Sequence, residues 1–323
     1  MFDVPAEALG FVSAHKRFLI STHVNPDGDG IGSAMGLKWA LVRLGKEAEI
    51  VIESDPPAMY DFFGNYGWVK GIGPATAPLE KFDTVITVDA PNIERLGKAA
   101  QLIAGGAKVM VIDHHVSNEK FGDVNYIDET AAASAEMIYR FVRALGLTPD
   151  RDCAEYLYSG ILIDTGRFRF SNTSPEVLRA GADLVAAGAR PHKIAERLFF
   201  TNTFETTKGL GKMIESIQLH AGGKVATAEF GLEYINSEEW KKVDTEGFVN
   251  HPLAIEGVEV AVFFKEVKPG VTRASLRAKN DFDVNAVAGI FGGGGHAKAA
   301  GCTINAPLEE AKKKLLGEIA KAL

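Results

Sequence analysis

The residues best suited to chemistry first appear in the stretch STHVNPDGDGIGS, which contains His23, Asp27 and Asp29. Two carboxylates this close together repel each other, and each raises the pKa of the other unless a positive charge lies between them. Imidazole nitrogens and carboxylate oxygens are both ligands of divalent metal ions. The spacing therefore suggests a metal site whose other ligands come from elsewhere in the chain.

Residues of the same types follow other apolar runs. Asp89 follows TVITV, and Asp113, His114 and His115 follow KVMVI. Asp164 ends the run GILI, which we predict to be helical. A single aspartate in such a position is more often a helix cap or a turn former. Taken together, these aspartates and histidines at successive element ends are hard to explain as caps, so they predict a metal site.

The elements that must bring these residues together alternate between strands and helices in residues 1–190. This alternation is typical of an α/β domain with a parallel sheet and flanking helices. In such sheets, ligands bind beyond the carboxyl ends of the strands, where distant parts of the chain meet. Predicted strands cover 17–21, 48–53, 83–89 and 108–113, and predicted helices cover 31–44, 132–145, 153–163 and 176–187.

The rest of the chain has a different pattern. Residues 191–219 are predicted to form a helical connector with breaks around 201–203. Residues 220–323 contain short β-like runs, a glycine-rich stretch and an amphipathic helix near 307–322. This pattern predicts a second, smaller α+β domain.

The donor types narrow the choice of metal ion. Carboxylates and imidazoles without a thiolate suit Mn²⁺, while Mg²⁺, Co²⁺ and Zn²⁺ remain open. One ion cannot use so many acidic ligands. Two ions about 3.5–4 Å apart, bridged by a carboxylate and a water, would use them all. His23 and Asp27 would then bind one ion and Asp29 the other, which removes the repulsion between the two aspartates.

Composition excludes several classes of protein. The net charge of −7 argues against a protein that binds long nucleic acid through its general field. No apolar run approaches the roughly 18 residues of a membrane span, and the first residues do not resemble a signal peptide. Cys153 and Cys302 have no metal or redox spacing. We therefore expect a cytoplasmic protein without a membrane segment.

The glycine-rich stretch FGGGGHAKAAG covers residues 291–301. Consecutive glycines let backbone N–H groups approach an anion closely. His296 is predicted to begin a short helical run, whose N-terminus would favour negative charge. A flexible linker is the alternative, but the flanking Phe and His favour phosphate binding. Arg277 could bind a phosphate bidentately, although taken alone it is better explained as a surface arginine on an edge strand.

Six segments together resemble a known family. HVNPDGDGIGS, VDAPNIERLG, VIDHHVSN and GILIDTGRFRFSNTS match, in order, the four motifs of the DHH phosphoesterases. SLRAKN and GGGGHAKAAG resemble the DHH-associated second domain. The resemblance covers nearly the whole chain and is strongest to the branch of bifunctional oligoribonucleases and pAp phosphatases.

The resemblance implies a two-ion Mn²⁺ site in which Asp89 bridges the ions. The implied ligands are His23, Asp27 and Asp89 for one ion and Asp29, Asp89, His114 and Asp164 for the other. His115 would face the scissile phosphate, as a substrate ligand or as the proton donor to the leaving oxygen. A hydroxide that bridges the ions would attack phosphorus in line. Asp89 and His115 are therefore the predicted catalytic residues.

The resemblance also implies the substrate-binding residues. Arg277, His296 and the loop glycines Gly293, Gly294 and Gly295 would hold the nucleotide end. No long basic groove is evident, so a small nucleotide or a short single-stranded RNA is expected rather than long double-stranded nucleic acid. The sequence leaves the oligomeric state open, with a homodimer among the options.

Other functions are compatible with parts of this sequence. A hydrolase of linear pApA has the same motifs, while an inorganic pyrophosphatase would lack the GGGGH loop. A dinucleotide-binding dehydrogenase would need a third glycine in GDGIGSAMG where Met35 stands, and its pyrophosphate would be repelled by Asp27 and Asp29. A non-catalytic nucleotide sensor would be expected to have lost ligands, and here all are present.

Overall fold

The computed structural model describes residues 4–72, 80–238, 240, 243–245 and 247–323. The chain divides into two compact units, Met1–Thr201 and Asn202–Leu323. Each unit is described separately below. Among the described residues, no helix combines the length and the apolar character needed to cross a bilayer.

The first unit is built on a parallel sheet. Within the described residues its strand order is β3-β2-β1-β4-β5-β6, and every neighbouring pair is parallel. The strands are β1 (Arg17–Ser21), β2 (Glu47–Ile52), β3 (Val69–Gly71), β4 (Phe82–Val88), β5 (Ile103–Asp113) and β6 (Val124–Ile127).

Helices connect these strands and cover the sheet. Their bounds are α1 (Ala6–Ala14), α2 (Gly28–Arg43), α3 (Ser134–Ala144), α4 (Arg151–Asp164), α5 (Pro175–Ala186) and α6 (Pro191–Phe199). α2, α3 and α4 pack against one another over one face, where Phe18 and Ile20 of β1 join the main core. Leu19, on the opposite face of β1, packs with Val51 and Val85. Burial on both faces explains the continuous apolar strands, since a parallel sheet is covered on both sides.

The strand order creates a switch point between β1 and β4. The chain leaves β1 through α2 to reach β2 on one side, whereas β4 lies on the other side of β1. Connections that leave in opposite directions open a crevice at the carboxyl ends of such strands, where ligands bind in open α/β sheets. The residues that follow β1 and β4, among them His23 and Asp89, lie at this edge.

The second unit contains a mixed sheet with the order β11-β12-β10-β9-β8-β7 among the described residues. β8 and β9 are parallel, and the other neighbouring pairs are antiparallel. The strands are β7 (Gln218–His220), β8 (Val225–Phe230), β9 (Val260–Lys268), β10 (Val271–Ala278), β11 (Gly294–His296) and β12 (Ala299–Ile304). The helices are α7 (Phe204–Glu215), α8 (Leu232–Ile235), α9 (Asn250–Leu253), α10 (Val284–Ile290) and α11 (Leu308–Ala322).

The two faces of this second sheet differ. Leu276 of β10 packs beneath α10 and α11, against residues such as Val284 and Leu315. On the opposite face, Phe230 and Phe263 of β8 and β9 form a separate core. Toward β10 and β12 this opposite face is exposed, because the outward residues alternate with buried ones along both strands. On the face opposite α10 and α11, the half of the sheet formed by β8 and β9 is therefore covered, and the half formed by β10 and β12 is open.

The α/β fold class predicted from the sequence is confirmed. The break expected around 201–203 lies between α6 and α7. One expectation was wrong: His296 does not begin a helical run but ends β11, which pairs with β12. The reason is the close approach at Gly293, where a Cβ would lie 2.2 Å from the carbonyl oxygen of Gly301. The glycines admit a neighbouring strand rather than start a helix.

Candidate metal centre

The junction between β1 and α2 carries the first three predicted ligands. Asp27 is the N-cap of α2, and its Oδ1 accepts hydrogen bonds from the N–H groups of Asp29 (2.9 Å) and Gly30 (3.2 Å). A carboxylate is favoured at this end of a helix. At Gly32 a Cβ would lie 2.3 Å from the carbonyl oxygen of Tyr156, so α2 and α4 touch backbone to backbone. The glycines of this stretch therefore bring Asp29 close to α4.

Asp29 is fully buried, and backbone groups fix both of its oxygens. Oδ2 accepts from the N–H of Ser134 at 2.6 Å, and Oδ1 accepts from the N–H of Ala135 at 2.7 Å. Both donors lie in the first turn of α3, whose N–H groups have no partner within the helix. The amino end of α3 thus sets the orientation of the Asp29 carboxylate.

Asp89 follows β4 in a left-handed backbone conformation, with φ at +56°. Such a conformation in a residue other than glycine costs about 1–3 kcal/mol. The turn is held by its N–H, which donates to the carbonyl oxygen of Ile112 at 3.0 Å. Ser134 Oγ donates to Asp89 Oδ1 at 3.1 Å. Ser134 therefore contacts Asp29 through its backbone and Asp89 through its side chain.

The predicted ligands form two groups that share Asp89. In the first group, His23 Nε2 lies 3.4 Å from Asp89 Oδ2 and 3.9 Å from Asp27 Oδ1. In the second group, His114 Nε2 lies 3.6 Å from Asp89 Oδ1 and 3.8 Å from Asp29 Oδ2.

Asp164, at the end of α4, joins the second group with Oδ2 at 3.3 Å from His114 Nε2. In the two triads His23–Asp27–Asp89 and Asp29–Asp89–His114, the candidate donor atoms all lie within 4.8 Å of one another. The two oxygens of the Asp89 carboxylate thus face different groups.

The electrostatics of the cluster indicate a place for positive charge. Burial and the nearby Asp89 and Asp164 carboxylates raise the pKa of Asp29 well above its usual value. Burial also raises the pKa of Asp164, to about 6, although His114 acts against it. Burial alone would lower the pKa of His23, but hydrogen bonds to Asp27 and Asp89 raise it well above the usual value. The carboxylates therefore favour a cation beside them.

The histidine rings are oriented by acceptors on their Nδ1 side. Nδ1 lies 2.9 Å from the carbonyl oxygen of Val24 in His23 and 3.3 Å from that of Ala131 in His114. A ring that donates from Nδ1 keeps the Nε2 lone pair for a metal ion. In both rings Nε2 faces the carboxylates.

This set of donors fits divalent metal ions. It combines carboxylates with imidazoles, and the two cysteines of the chain are free and buried outside it. Ligand atoms bound at about 2.1 Å around one octahedral ion lie about 3 Å apart. The observed separations of 3.3–3.9 Å between nitrogen and oxygen are a little wider than that. Small side-chain movements would bring the donors onto an ion.

His115 lies beside the two groups and has its own carboxylate. Its Nδ1 is 2.7 Å from Oδ1 of the buried Asp113. Burial lowers the pKa of His115, but the hydrogen bond to Asp113 and the negative charges of Asp89 and Asp113 together outweigh it, so the pKa is raised. Asn118 Nδ2 donates to Asp113 Oδ2 at 2.6 Å and to the carbonyl oxygen of Ala90 at 3.2 Å. Asn118 therefore ties the turn after β5 to the turn after β4.

Sequence reasoning gave no role to Asn118 or Ser134. Asn118 lies in VIDHHVSN, so its place in a motif could have drawn attention to it. Ser134 lies at the start of the helix predicted over 132–145, and serine at such a position usually indicates only a cap. Its contacts with Asp29 and Asp89 span 105 and 45 residues of the chain. Contacts at that separation leave no local pattern.

The predicted substrate residues of the second unit share the open part of its sheet. Arg277 of β10 is paired with Ala299 of β12, which is paired with His296 of β11. Arg277 and His296 therefore flank Ala299 in one row across three strands. Arg277 Nη1 donates to the carbonyl oxygen of Leu276 at 3.0 Å.

The glycines of the loop differ in what they require. Gly295 has φ at +148°, and a Cβ there would lie 2.4 Å from the carbonyl oxygen of Ala299. Gly293 faces β12 closely, as described above, whereas Gly294 has space around it. At Gly293 and Gly295, a side chain would collide with the backbone of β12, which explains why both positions are glycine.

A metal centre of acidic and histidine side chains at the switch point of a parallel sheet defines the class of protein as a candidate metallohydrolase. Comparison with known families agrees. The N-terminal domain of the DHH family matches residues 17–161, and the DHHA1 domain matches residues 220–323. The chain belongs to the DHH family of phosphoesterases, which confirms the resemblance seen in the sequence.

Individual relatives match over most of their length. The bifunctional oligoribonuclease and PAP phosphatase NrnA of Thermus thermophilus is 34% identical over 94% of this chain and 89% of its own. The protein of the same name from Bacillus subtilis is 28% identical over 92% of both chains. An exopolyphosphatase-related protein from Bacteroides fragilis has the same fold, with a TM-score of 0.90 at 23% identity, covering 98% of this chain and 95% of its own.

Proposed function

We propose that this protein hydrolyses short oligoribonucleotides to mononucleotides and removes the 3′-phosphate of pAp, with two divalent ions at the centre. The observation that carries the proposal is the position of Asp89, whose two oxygens face different groups of ligands. A carboxylate placed in this way suits the bridging position of a two-ion site. The activities in the names of the Thermus and Bacillus relatives supply the substrate class.

The proposal assigns one role to each group of ligands. The first ion would be held by His23, Asp27 and Asp89, and the second by Asp29, Asp89, His114 and Asp164. Mn²⁺ is proposed because the set joins carboxylates and imidazoles without a thiolate. When bound, such ions stabilise charge on phosphoryl oxygens and lower the pKa of water enough to supply hydroxide near neutral pH. The N–H of Asp29 donates to the Asp27 carboxylate, and the N–H groups of Ser134 and Ala135 donate to the Asp29 carboxylate, so both carboxylates stay oriented for this task.

His115 is the proposed contact to the reacting phosphate. The contact between its Nδ1 and Asp113 orients the ring, and Nε2 is the proposed contact to an oxygen of the substrate. From Nε2 the ring would donate a hydrogen bond to the phosphoryl group or a proton to the leaving oxygen. Asn118 maintains this arrangement by holding the second oxygen of Asp113.

The second unit would hold the nucleotide end of the substrate. Arg277 and His296 stand in one row on the open part of the sheet, and both donate hydrogen bonds suited to phosphate. Gly294 has space around it and would let a ligand approach the backbone, while Gly293 and Gly295 would hold the loop against β12. A short single strand or one nucleotide fits such a row better than a long duplex does. A cytoplasmic location, favoured by two free cysteines, belongs to the same proposal.

The test compares substrates in one assay. The purified chain is incubated with Mn²⁺ and an RNA trimer, pAp, linear pApA or pyrophosphate, and the products are separated by chromatography. We expect mononucleotides from the trimer and phosphate from pAp. Asp89→Ala should abolish both activities, while Asp123→Ala, which removes an exposed carboxylate of the same unit, should retain them.

Other outcomes would change the proposal in different ways. Rapid turnover of pyrophosphate alone would make the protein a pyrophosphatase. Turnover of pApA without the trimer would restrict it to linear dinucleotides. Activity that survives in Asp89→Ala would remove the role of the shared carboxylate.

A further inference from the structure

Two cations face each other on the second sheet, away from the row that contains Arg277. Lys265 of β9 and Arg273 of β10 are directly paired in the antiparallel register. Both point to the face opposite α10 and α11, because Phe264 and Ala274 on either side of them pack beneath those helices. Like charges directly opposite each other in a sheet are destabilising. The Lys265–Arg273 pair therefore has a cost that needs an explanation.

The surroundings of the pair relieve this cost only in part. Lys265 is half-buried, with Nζ at 3.4 Å from Thr245 Oγ1. Burial and the charge of Arg273 lower the pKa of Lys265, and the carboxylate of Asp244 acts in the opposite direction. Arg273 is exposed, and on its other side it is paired with the exposed Thr303 of β12. An anion above the pair would relieve the repulsion and accept hydrogen bonds from both cations.

The space between this pair and the Arg277 row is open. Ser275 and Gly301 form the row between them on β10 and β12, and Ser275 is exposed. These small residues leave a shallow floor with basic side chains at both ends. Arg273 and Arg277 are four residues apart on the same side of β10, which is about 13 Å at ~3.3 Å per residue. A single nucleotide held at one end would not reach the other, but a chain of several nucleotides would.

We propose that Lys265 and Arg273 form a second phosphate subsite, which binds a backbone phosphate of an oligoribonucleotide farther along the strand than the nucleotide end held at Arg277 and His296. The inference rests on the proposed function and adds a length preference to it. Grooves for single-stranded nucleic acid commonly follow the backbone with positive charges, independent of sequence. The pair contributes to the binding of RNA with several residues and makes no contact with pAp.

The experiment measures how kinetic constants depend on substrate length. KM and kcat with Mn²⁺ are determined for a five-residue RNA, a two-residue RNA and pAp. The variants are Arg273→Gln, Lys265→Met and their combination, with Arg273→Lys as the charge-retaining variant. Lys313→Gln, on the exposed side of α11, is the matched control for the loss of one surface cation. Circular dichroism and thermal melting check that each variant is folded.

We expect the double variant to raise KM for the five-residue RNA about tenfold, the effect of losing one or two charge-assisted hydrogen bonds. KM for pAp and for the two-residue RNA should stay within twofold, and Arg273→Lys should recover most of the loss. When log KM for the five-residue RNA is plotted against log salt concentration, the slope should be smaller by about 0.7 in the double variant. This is the contribution of one neutralised phosphate of a single strand. Lys313→Gln should match the unmodified protein.

Three results would overturn the subsite. An equal change for all three substrates would mean that the pair acts on the protein as a whole or binds any small anion. An unchanged KM for the five-residue RNA in the double variant would mean that the pair binds nothing. If the unmodified protein hydrolyses pAp but no RNA, the proposed activity on RNA and the subsite are both wrong. The unmodified protein alone shows this result, so it is distinguished from a failure of the subsite alone.

Discussion

The metal centre of the first unit and the open face of the second unit handle charge in opposite ways. At the metal centre, Asp29 and Asp89 are buried, and backbone or side-chain donors hold their oxygens. On the open face, Arg273 is exposed and Arg277 is partly exposed on a regular strand. Buried charges need fixed partners because desolvation is costly, whereas exposed charges keep their solvation.

This difference indicates what each region can do. A centre whose donors are fixed in advance can stabilise charge in a transition state with little reorganisation. An exposed face with small residues between its cations can accept strands of different length. We therefore expect the mutations that weaken metal binding to differ from those that change substrate selection. Three experiments test this expectation.

The largest expected effect is the stabilisation of the first unit by metal. Mn²⁺ at about 100 times its Kd should raise the free energy of unfolding by about 2.7 kcal/mol relative to the protein in EDTA. Asp89→Ala should lose this gain because it removes the shared ligand, while Arg277→Gln should keep it. Differential scanning calorimetry with and without Mn²⁺ gives the answer. A gain that disappears in Arg277→Gln would contradict the division of roles between the two regions.

A smaller effect is expected from Ser134→Ala. The variant loses the hydrogen bond from Oγ to Asp89 but keeps the backbone N–H that donates to Asp29. Partners of metal ligands typically contribute 10- to 100-fold to affinity, so Mn²⁺ should bind at least about tenfold more weakly. Isothermal titration calorimetry measures this without substrate, and Ser134→Thr should recover the affinity. Unchanged Mn²⁺ binding in Ser134→Ala would mean that the backbone alone orients the Asp89 side chain.

The smallest effect at the metal centre is expected from Asn118→Ala. Loss of the amide frees one oxygen of Asp113 and loosens His115, but it touches no proposed metal ligand. We expect kcat for pAp to fall about tenfold, within the range for a positioned acid or base, with KM and Mn²⁺ affinity nearly unchanged. Steady-state kinetics and calorimetry separate these quantities. A variant that weakens Mn²⁺ binding instead would show that Asn118 supports the ligands rather than His115.

The sequence predicted the first unit well because its signals are local. The apolar run RFLIS is β1 with the predicted bounds, and the strand before Asp89 lies where the run TVITV indicated it. Parallel strands place their carboxyl ends at one edge, so the sequence alone predicts that His23, Asp89 and His114 lie together. The short strands β3 and β6 were missed because three or four residues carry little periodicity.

Prediction failed where long-range contacts override local preference. The run that begins at His296 suggested a helix, but His296 ends β11 and Ala299 begins β12, and these two strands pair with each other. The Lys265–Arg273 pair depends on the register of two strands, and a single strand pattern shows only that each residue faces outward. Likewise, the donors to Asp29 come from a helix more than 100 residues later in the chain. Such contacts exist only once the fold is complete.

The backbone contact between α2 and α4 at Gly32 also has a consequence for biosynthesis. The proposed ligands span residues 23–164, and α4 carries the last of them. During translation the centre therefore cannot assemble until the ribosome has released Asp164. Pairings between distant segments also form slowly because loop closure must come first. On the proposed ligand set, loading with metal would be a late event, and a chain that stalls before α4 would expose an incomplete acidic cluster to the cell.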